Sequence, residues 1–306
     1  MNRVDSAHLL RAAGSAAVFA CLAGVALFSV MDVVMKMLAL VIGAYNALLF
    51  RSIVGSLLSG TAMIASGNRW PPRPVLALHV RRGIVNTAMG WMFFWALTQL
   101  PLAEAIALSF VAPIIALYLA AILLGEAVGK TAILSALLGL AGVGIILSGR
   151  LSGDYQESAL WGALAVIGSA VLFAYNLVLQ RQLAQQAGMV EMSFFQNGMT
   201  LALLLPFLPF LAVVPLGGQW ALVVGAAVLV ILSQMCLAWA YARAPASRLI
   251  PLEYSAFVWA SIMGWLFFAE HLSLAVVAGA AVIVAACLIA ARQRPEMAAH
   301  VEADTA

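Results

Sequence analysis

Charge is what this chain has least of. Only 9% of its 306 residues are Asp, Glu, Lys or Arg, where a soluble domain carries roughly 25%. With 65% hydrophobic residues and a mean hydropathy of +1.07, it cannot cover a water-facing surface, so most of its surface must face lipid. The net charge of +3 is scattered, with no basic stripe and no acidic tail, which argues against a nucleic-acid partner. Cysteine is scarce as well. Cys21, Cys236 and Cys287 all lie in apolar runs, too few and too far apart for a disulfide framework or a CxxC metal site, and read as small buried hydrophobes. The four histidines are dispersed, and HExxH, GxSxG and carboxylate pairs at helical spacing are absent, so an intramembrane enzyme is a poor fit and no metal or cofactor is expected. No polar segment is long enough for a soluble domain, which argues against a receptor or a non-transporting subunit.

What is present is a series of apolar segments. A spanning helix needs about 20 mostly apolar residues in a row. Ten segments qualify, near 14–36, 43–65, 81–99, 103–124, 130–148, 158–181, 191–214, 220–242, 246–268 and 273–291. The run after Arg3 and Arg11 is long for a signal peptide, lacks a convincing cleavage site and takes part in the repeat below, so it reads as the first span. With the N-terminus in the cytoplasm, twelve Lys and Arg fall inside and two, Lys36 and Arg150, outside. This bias predicts a multi-pass protein of a bacterial-type inner membrane with both termini cytoplasmic.

The chain repeats at a spacing near 145. The stretch 27-LFSVMDVVMKMLA-39 aligns with 172-LFAYNLVLQRQLA-184, and 95-WALTQLP-101 with 239-WAYARAP-245 at an offset of 144. Glu126 then meets Glu270, and after a four-residue gap Gly139 meets Gly279. Each unit holds five spans, an odd number, so the second unit must be inverted. The expected fold is all-α and integral to the membrane, ten helices in two inverted five-helix repeats. Its parts are a cytoplasmic N-terminus (1–13), a first repeat (14–148), a connecting loop (149–157), a second repeat (158–291) and a cytoplasmic tail (292–306). Inverted repeats are a plan of secondary transporters that bind substrate between the halves and work by alternating access.

Several of these pieces resemble the drug/metabolite transporter superfamily and, within it, the EamA family: 27-LFSVMDVVMKMLA-39, the Arg in 49-LFRSIVG-55, 95-WALTQLPLAEAIALSFVAP-113, 124-LGE-126 and 243-RAPASRLIPLEY-254. The resemblance covers nearly the whole chain, and its versions look nearest to a branch with S-adenosylmethionine and riboflavin carriers. It implies transport without nucleotide hydrolysis. The expected function is secondary active transport of a small organic metabolite, cationic or aromatic, with a slight lean to uptake. The alternative is a proton-coupled exporter of amino acids, metabolites or drugs. The expected partners are a small-molecule substrate, the bilayer and, as an option, protons, with the chain a monomer or homodimer.

The candidate site starts from the charges that lie inside spans. A carboxylate at the bilayer centre costs at least about 2.5–3.5 kcal/mol and usually faces protein or a water-filled cavity. Glu253, in 248-RLIPLEYSAFVW-259, reads either as a cation- or proton-binding group or as a structural Glu bonded to neighbouring helices. Arg51 lies eight residues into the second span, about 12 Å deep. It is a substrate or gate group, or the ion-pair partner of Asp32, which is a second proton-coupling candidate. Lys36 joins them as a gate or ion-pair residue, although anchoring at the interface is its simpler reading. Trp91 and Trp95, four apart, share a helical face. With Asn86, Ser109, Tyr254 and Trp259 they complete the substrate-binding candidates, aromatic walls suiting a flat or cationic solute, while lipid packing or an interfacial belt explains the tryptophans as well. Ser109 is the repeat mate of Glu253, so the buried charge is on one side only. Glu126 and Glu270 end spans and read as structural, at water or capping the next segment. Pro206 and Pro209 should kink the seventh span. Gly139, Gly142 and Gly144 allow close packing, inside the bundle rather than at a dimer face.

Overall fold

A computed structural model describes residues 3–67, 70–112, 114–115, 119, 130–151, 157–184, 186–241, 243 and 252–291. Among these residues the secondary structure is helical, with no strand. Helix α1 (Arg3–Ala65) is 63 residues long and interrupted at Gly43, whose φ of 80° and ψ of 153° are non-helical. Glycine alone takes such a conformation readily. Arg51 Nη1 lies 3.9 Å from Met31 Sδ, whereas a straight helix would hold residues twenty apart about 30 Å from each other. The chain therefore doubles back at Gly43, and α1 is a hairpin of two arms, matching the first two expected spans.

Among the described residues eight further helices of eight residues or more follow. They are α2 (Arg73–Ala96), α3 (Leu102–Ser109), α4 (Lys130–Leu151), α5 (Glu157–Ala184), α6 (Met189–Leu204), α8 (Gln219–Tyr241) and α9 (Ser255–Phe268), with α10 (Leu274–Ala291) closing the series. Proline punctuates the path. Pro72 and Pro101 precede α2 and α3. Pro206 and Pro209 turn the end of α6 into a 3₁₀ turn (Leu205–Phe207) and a single helical turn, α7 (Leu208–Leu211), which is the expected kink. Helix α2 begins eight residues before the apolar pattern starts, because Arg73–Val80 is helical although too polar to be read as part of a span. Glu126, Arg248 and Pro251 lie outside the described residues.

The packing is inside-out for a water-soluble protein. Phe19, Ile64, Phe210 and Leu274 are more than three-quarters exposed, while Asp32, Lys36, Arg51, His79, Arg82 and Glu104 are buried. This distribution fits an apolar solvent outside and polar contacts inside. Among the described residues four stretches are long and apolar enough to cross a bilayer: Ala16–Ala65, which the Gly43 reversal folds into two arms, Ser158–Gln180, Met189–Leu211 and Gln219–Ala240. Leu137–Ile146, Ser255–Phe268 and Leu274–Ala286 are shorter apolar helices.

Helix contacts are made through small residues and hydroxyls. The first arm of α1 packs on α8, where Ser233 Oγ donates to Gly24 O at 2.8 Å. Helix α2 packs on α5, where Ser169 Oγ donates to Met89 O at 3.0 Å. The second arm of α1 meets α6, with Tyr45 Oη donating to Leu204 O at 2.7 Å and Asn197 filling the space over Gly55. Helices α4 and α10 cross at Gly142 and Gly279. A Cβ on Gly142 would sit 2.8 Å from Gly279 O and 2.6 Å from Ile283 Cγ1. Gly142 is thus used inside the chain and not at a dimer face, and Gly139 packs on Ile114. A Cβ on Gly144 would meet nothing within 4 Å.

The crossing yields a test. Gly142→Val puts a methyl-bearing carbon against backbone that cannot yield, and overpacking of this kind costs about 1–3 kcal/mol. Thermal unfolding of the detergent-solubilised chain should show a lowered midpoint for Gly142→Val and an unchanged one for Gly144→Ala.

Candidate functional site

Two interrupted helices meet inside the bundle. Helix α3 stops after eight residues at Ser109, and the amides of Phe110 and Val111 turn to carbonyls three residues back, Ala107 O at 3.2 Å and Leu108 O at 3.3 Å. On the other side, Leu252 and Glu253 are helical, Tyr254 is a turn, and α9 starts at Ser255 with Phe257 N–H bonded to Tyr254 O at 3.2 Å. The two breaks touch, with the Phe110 and Tyr254 rings edge to face at 5.1 Å. The offset that aligns Glu253 with Ser109 aligns these two aromatics as well. Broken membrane helices in corresponding halves are the arrangement from which transporters build binding sites. Ser255 Oγ is buried at this crossing without a hydrogen-bond partner among the described residues. Ser109 Oγ bonds within its own helix, to Ile106 O at 2.7 Å.

Glu253 is half-buried and lies in electrostatic reach of Cys21 on the first arm of α1. Trp259, one turn into α9, packs with Leu252 against the cluster of Cys21, Val25 and Ala240. Arg51 sits elsewhere. It is buried, its Nη1 touches Met31 Sδ, and its guanidinium lies 5.6 Å from the centre of the Phe94 ring. Cys21 and Met31 are ten residues apart on one arm, about 15 Å. The structure therefore does not bring Glu253 and Arg51 together.

The expected Asp32–Arg51 ion pair is corrected. The two are electrostatic neighbours, both buried, but no contact within the 4.0 Å of an ion pair joins them. Asp32 Oδ1 and Arg51 Nε each lack a hydrogen-bond partner among the described residues. Opposite charges held close but apart leave donor and acceptor capacity that a polar solute can complete.

Lys36 is an ion-pair residue, one of its two expected readings, and the anchoring alternative is the one corrected. It is not an interfacial anchor but a buried group, 4% exposed, because the connection after α2 and the end of α9 close over it. Its Nζ donates to Leu100 O at 2.7 Å and pairs with Glu270 Oε1 at 2.5 Å. Glu270 Oε2 accepts the Leu102 N–H at 2.7 Å. Glu270 does cap a segment, but that segment is α3 and not the helix that follows it in the chain. At the other end of α2, about 26 Å away, His79 Nε2 and Glu191 Oε1 lie 2.9 Å apart, Arg82 donates to Gln196 Oε1 at 2.8 Å, and His79 stacks on Phe195. Both polar clusters join residues before 149 to residues after 157.

Trp91 and Trp95 are half-exposed on α2, and Asn86 is buried on it. The aromatic that reaches Arg51 is Phe94, which the sequence reading passed over. It also missed Phe110, His79, Arg82, Glu104 and Glu191. The repeat offset was the available signal for Phe110, and an i, i+3 spacing of His79 and Arg82 on one face was the signal for the His79–Glu191 cluster.

Removing one partner of a buried pair leaves an uncompensated charge and costs about 3–5 kcal/mol. Lys36→Met should therefore lower the unfolding midpoint strongly. The double variant Lys36→Met/Glu270→Gln should recover part of that loss, since Gln keeps an acceptor for Leu102 N–H and carries no charge. Scanning fluorimetry on the tryptophans measures both, and a double variant no better than Lys36→Met would show that charge compensation is not the role of the pair.

Comparison with known proteins agrees with this geometry. The pseudopaline exporter CntI of Pseudomonas aeruginosa is 28% identical over 268 residues, 87% of this chain and 93% of that protein. A riboflavin transporter of Rhizobium johnstonii is 30% identical over 220 residues, 70% of each chain. An aromatic amino acid exporter, YddG of Ancylobacter novellus, is 29% identical over 143 residues, 46% of this chain and 50% of that one. A crystal structure at 22% identity superposes with a TM-score of 0.61 over 90% of this chain and 96% of its own, a likeness of fold. The model of the EamA-like transporter family matches twice, at residues 15–148 and 160–292. The chain therefore belongs to the EamA-like transporter family: it is a multi-pass membrane protein that transports a small molecule, and not an enzyme.

Proposed function

We propose that the chain is a secondary active transporter of a small organic metabolite, built as two inverted five-helix repeats (14–148 and 158–291) in an inner membrane with both termini cytoplasmic. The observation that carries this reading is the matched interruption of α3 and α9, which meet at Phe110 and Tyr254 with Ser109 and Glu253 beside them.

The helix contacts support the repeat. Gly24 and Ser169 are 145 apart, Met89 and Ser233 are 144 apart, and the two hydroxyl bonds Ser233–Gly24 and Ser169–Met89 exchange under that offset. The α4–α10 crossing exchanges too, since Gly142 meets Gly279 and Ile283 while Gly279 meets Gly142 and Ile146. Its local offset is 137, so the gap in the second half is seven residues rather than the four read from Gly139. The double match of one family model to the two halves supports the same reading.

In this reading Arg51 faces a carboxylate of the solute, Glu253 a cationic group or a proton, and Phe94, Trp91, Trp95 and Tyr254 its flat part. Asp32 holds Arg51 without consuming it. The Lys36–Glu270 and His79–Glu191 clusters close the two ends of the path between the halves, and alternating access opens one while the other stays joined. We read the direction as export, against the slight lean of the sequence to uptake, because the relative that shares 93% of its length with this chain is named an exporter.

Proteoliposomes in which a defined fraction faces inside-out, offered a pooled metabolite extract, test the assignment by mass spectrometry of what accumulates. Glu253→Gln and Arg51→Lys should each reduce accumulation at least about tenfold, the equivalent of ~1.4 kcal/mol and within what one charge-assisted hydrogen bond supplies. A solute that accumulates equally in wild type and both variants would remove the site from these residues. Accumulation confined to right-side-out vesicles would reverse the direction.

A further inference from the structure

Arg82 is a buried guanidinium with no anion beside it. It is 6% exposed, and among the described residues no carboxylate stands within the 4.0 Å of an ion pair from it. The donor in use is Nη2, which bonds Gln196 Oε1 on α6 at 2.8 Å and Gln180 Oε1 on α5 at 3.5 Å. Its Nε is buried without a hydrogen-bond partner among the described residues. Lys36, Arg51 and His79, also buried, each have a carboxylate to hand in Glu270, Asp32 and Glu191. A guanidinium stays charged in any protein setting, so burying this one is costly unless an anion completes it.

A second unpartnered group stands on the same seam. Asn176 is 3% exposed on α5, and its Oδ1 is buried without a partner among the described residues. Gln180, which reaches Arg82, is one turn further along α5, and residues four apart share a face. Ser169, on that face too, donates to Met89 O, so Asn176 lies between the levels of Met89 and Arg82 on α2. Arg82 Nε lacks an acceptor and Asn176 Oδ1 lacks a donor, four helical residues apart, about 6 Å. Asn86, buried one turn beyond Arg82, shares the face of α2 that Arg82 occupies.

The repeat gives this place a counterpart. The offset of 145 puts Gln196 where Arg51 stands and Asn176 where Met31 stands. In the first half Arg51 touches Met31. In the second half Arg82 supplies the guanidinium and bonds the residue that corresponds to Arg51. Each half thus has one guanidinium at matching positions, which inversion turns towards opposite faces of the membrane. Arg82 is three residues from His79, and Phe94, the ring against Arg51, is twelve residues further along α2, about 18 Å. Arg82 faces α5 and α6 of the other half and not lipid.

We propose that Arg82 and Asn176 form a second solute station, between the His79–Glu191 cluster and Arg51. It takes a small organic anion that carries an N–H or O–H donor about 6 Å from its charge. The anion, a carboxylate or a phosphate, accepts from Arg82 Nε, and the donor bonds Asn176 Oδ1. The acceptor at Asn176 is uncharged, so it does not repel the anion. A solute admitted when the His79–Glu191 cluster parts meets Arg82 first and Arg51 second. This inference rests on the transport reading, which puts the path between the halves, and adds a site to that path.

The test reads binding and not transport, so its failure is distinct from a failure of the accumulation assay. The full chain in detergent, carrying Arg51→Gln to silence the other guanidinium, is titrated with succinamate, and saturation-transfer NMR reads the probe protons. Succinamate has a carboxylate and an amide donor; monomethyl succinate keeps the charge and lacks the donor. Adding Arg82→Gln should weaken succinamate binding at least about tenfold, the equivalent of one hydrogen bond to a charged group. Adding Asn176→Leu should bring succinamate down to the level of monomethyl succinate. If the Arg51→Gln chain does not fold, the loss of that preference in Asn176→Leu alone decides the matter. Ligand-free Arg82→Gln should unfold at or above the wild-type midpoint, because it removes a charge that nothing balances. A midpoint lowered as far as that of Lys36→Met would make Arg82 a structural donor and overturn the proposal. Succinamate binding unchanged by Arg82→Gln overturns it too, as does equal binding of the two probes with Asn176 in place. Displacement of succinamate by phosphatidylglycerol would make Arg82 a lipid-headgroup site and overturn it as well.

Discussion

The buried ammonium of Lys36 sets the arrangement of one whole end of the molecule. A bilayer offers no water to a charged group, so its cost must be met by protein atoms. Lys36 meets it with Leu100 O and Glu270, and Glu270 in turn holds the first amide of α3. Three segments distant in the chain are tied by one interaction: the first arm of α1, the α2–α3 connection and the α9–α10 connection. The start of α3 depends on it. Through the length of α3, the position of its break against Tyr254 depends on it too.

The rest of the interior divides into contacts that hold and contacts that can part. The glycine crossing of α4 and α10 brings backbones together with no room for a side chain. Close-packed crossings of this kind resist sliding, since any shift loses dispersion contacts all along the seam. The polar clusters at the two ends of α2 behave differently. They join the halves through side chains, as Arg82 does with a 2.8 Å bond to Gln196 Oε1 and a 3.5 Å bond to Gln180 Oε1. Interhelical hydrogen bonds such as those of Arg82 contribute about 1–2 kcal/mol each, less than the cost of stranding one member of the Lys36–Glu270 pair.

Between the two ends lies the layer in which Asp32 and Arg51 face each other without contact and the broken helices meet. At the breaks the backbone tightens to bonds three residues back, and Asp32 Oδ1 and Arg51 Nε keep hydrogen-bonding capacity. Such groups are tolerated only where something completes them, whether a solute, a proton or water. Cys21, in electrostatic reach of Glu253, and Met31, in contact with Arg51, are about 15 Å apart along the first arm of α1. A solute spanning Glu253 and Arg51 would bridge the two halves, whereas a smaller one would use them in turn.

What the sequence determined by itself follows from composition and period. Low charge and ten apolar runs required a bilayer and helices, because no other solvent suits that surface and no other structure satisfies its backbone. The offset near 145 pointed to two related halves. Pro206 and Pro209 announced the turn after α6, and Gly43 stood between the two arms of α1. Glu253, Arg51 and Asp32 were legible as candidates because charge is so rare here. The tertiary structure decided their partners. Lys36 and Glu270 are 234 residues apart, and no local pattern says that they meet. Phe94 looked like one more apolar residue until Arg51 turned towards it. Asp32 and Arg51 looked like a natural pair until the hairpin held them apart. Apolar periodicity reports which face of a helix is buried, whereas the identity of a buried charge's partner is set by how distant helices cross, and that is a property of the assembled bundle alone.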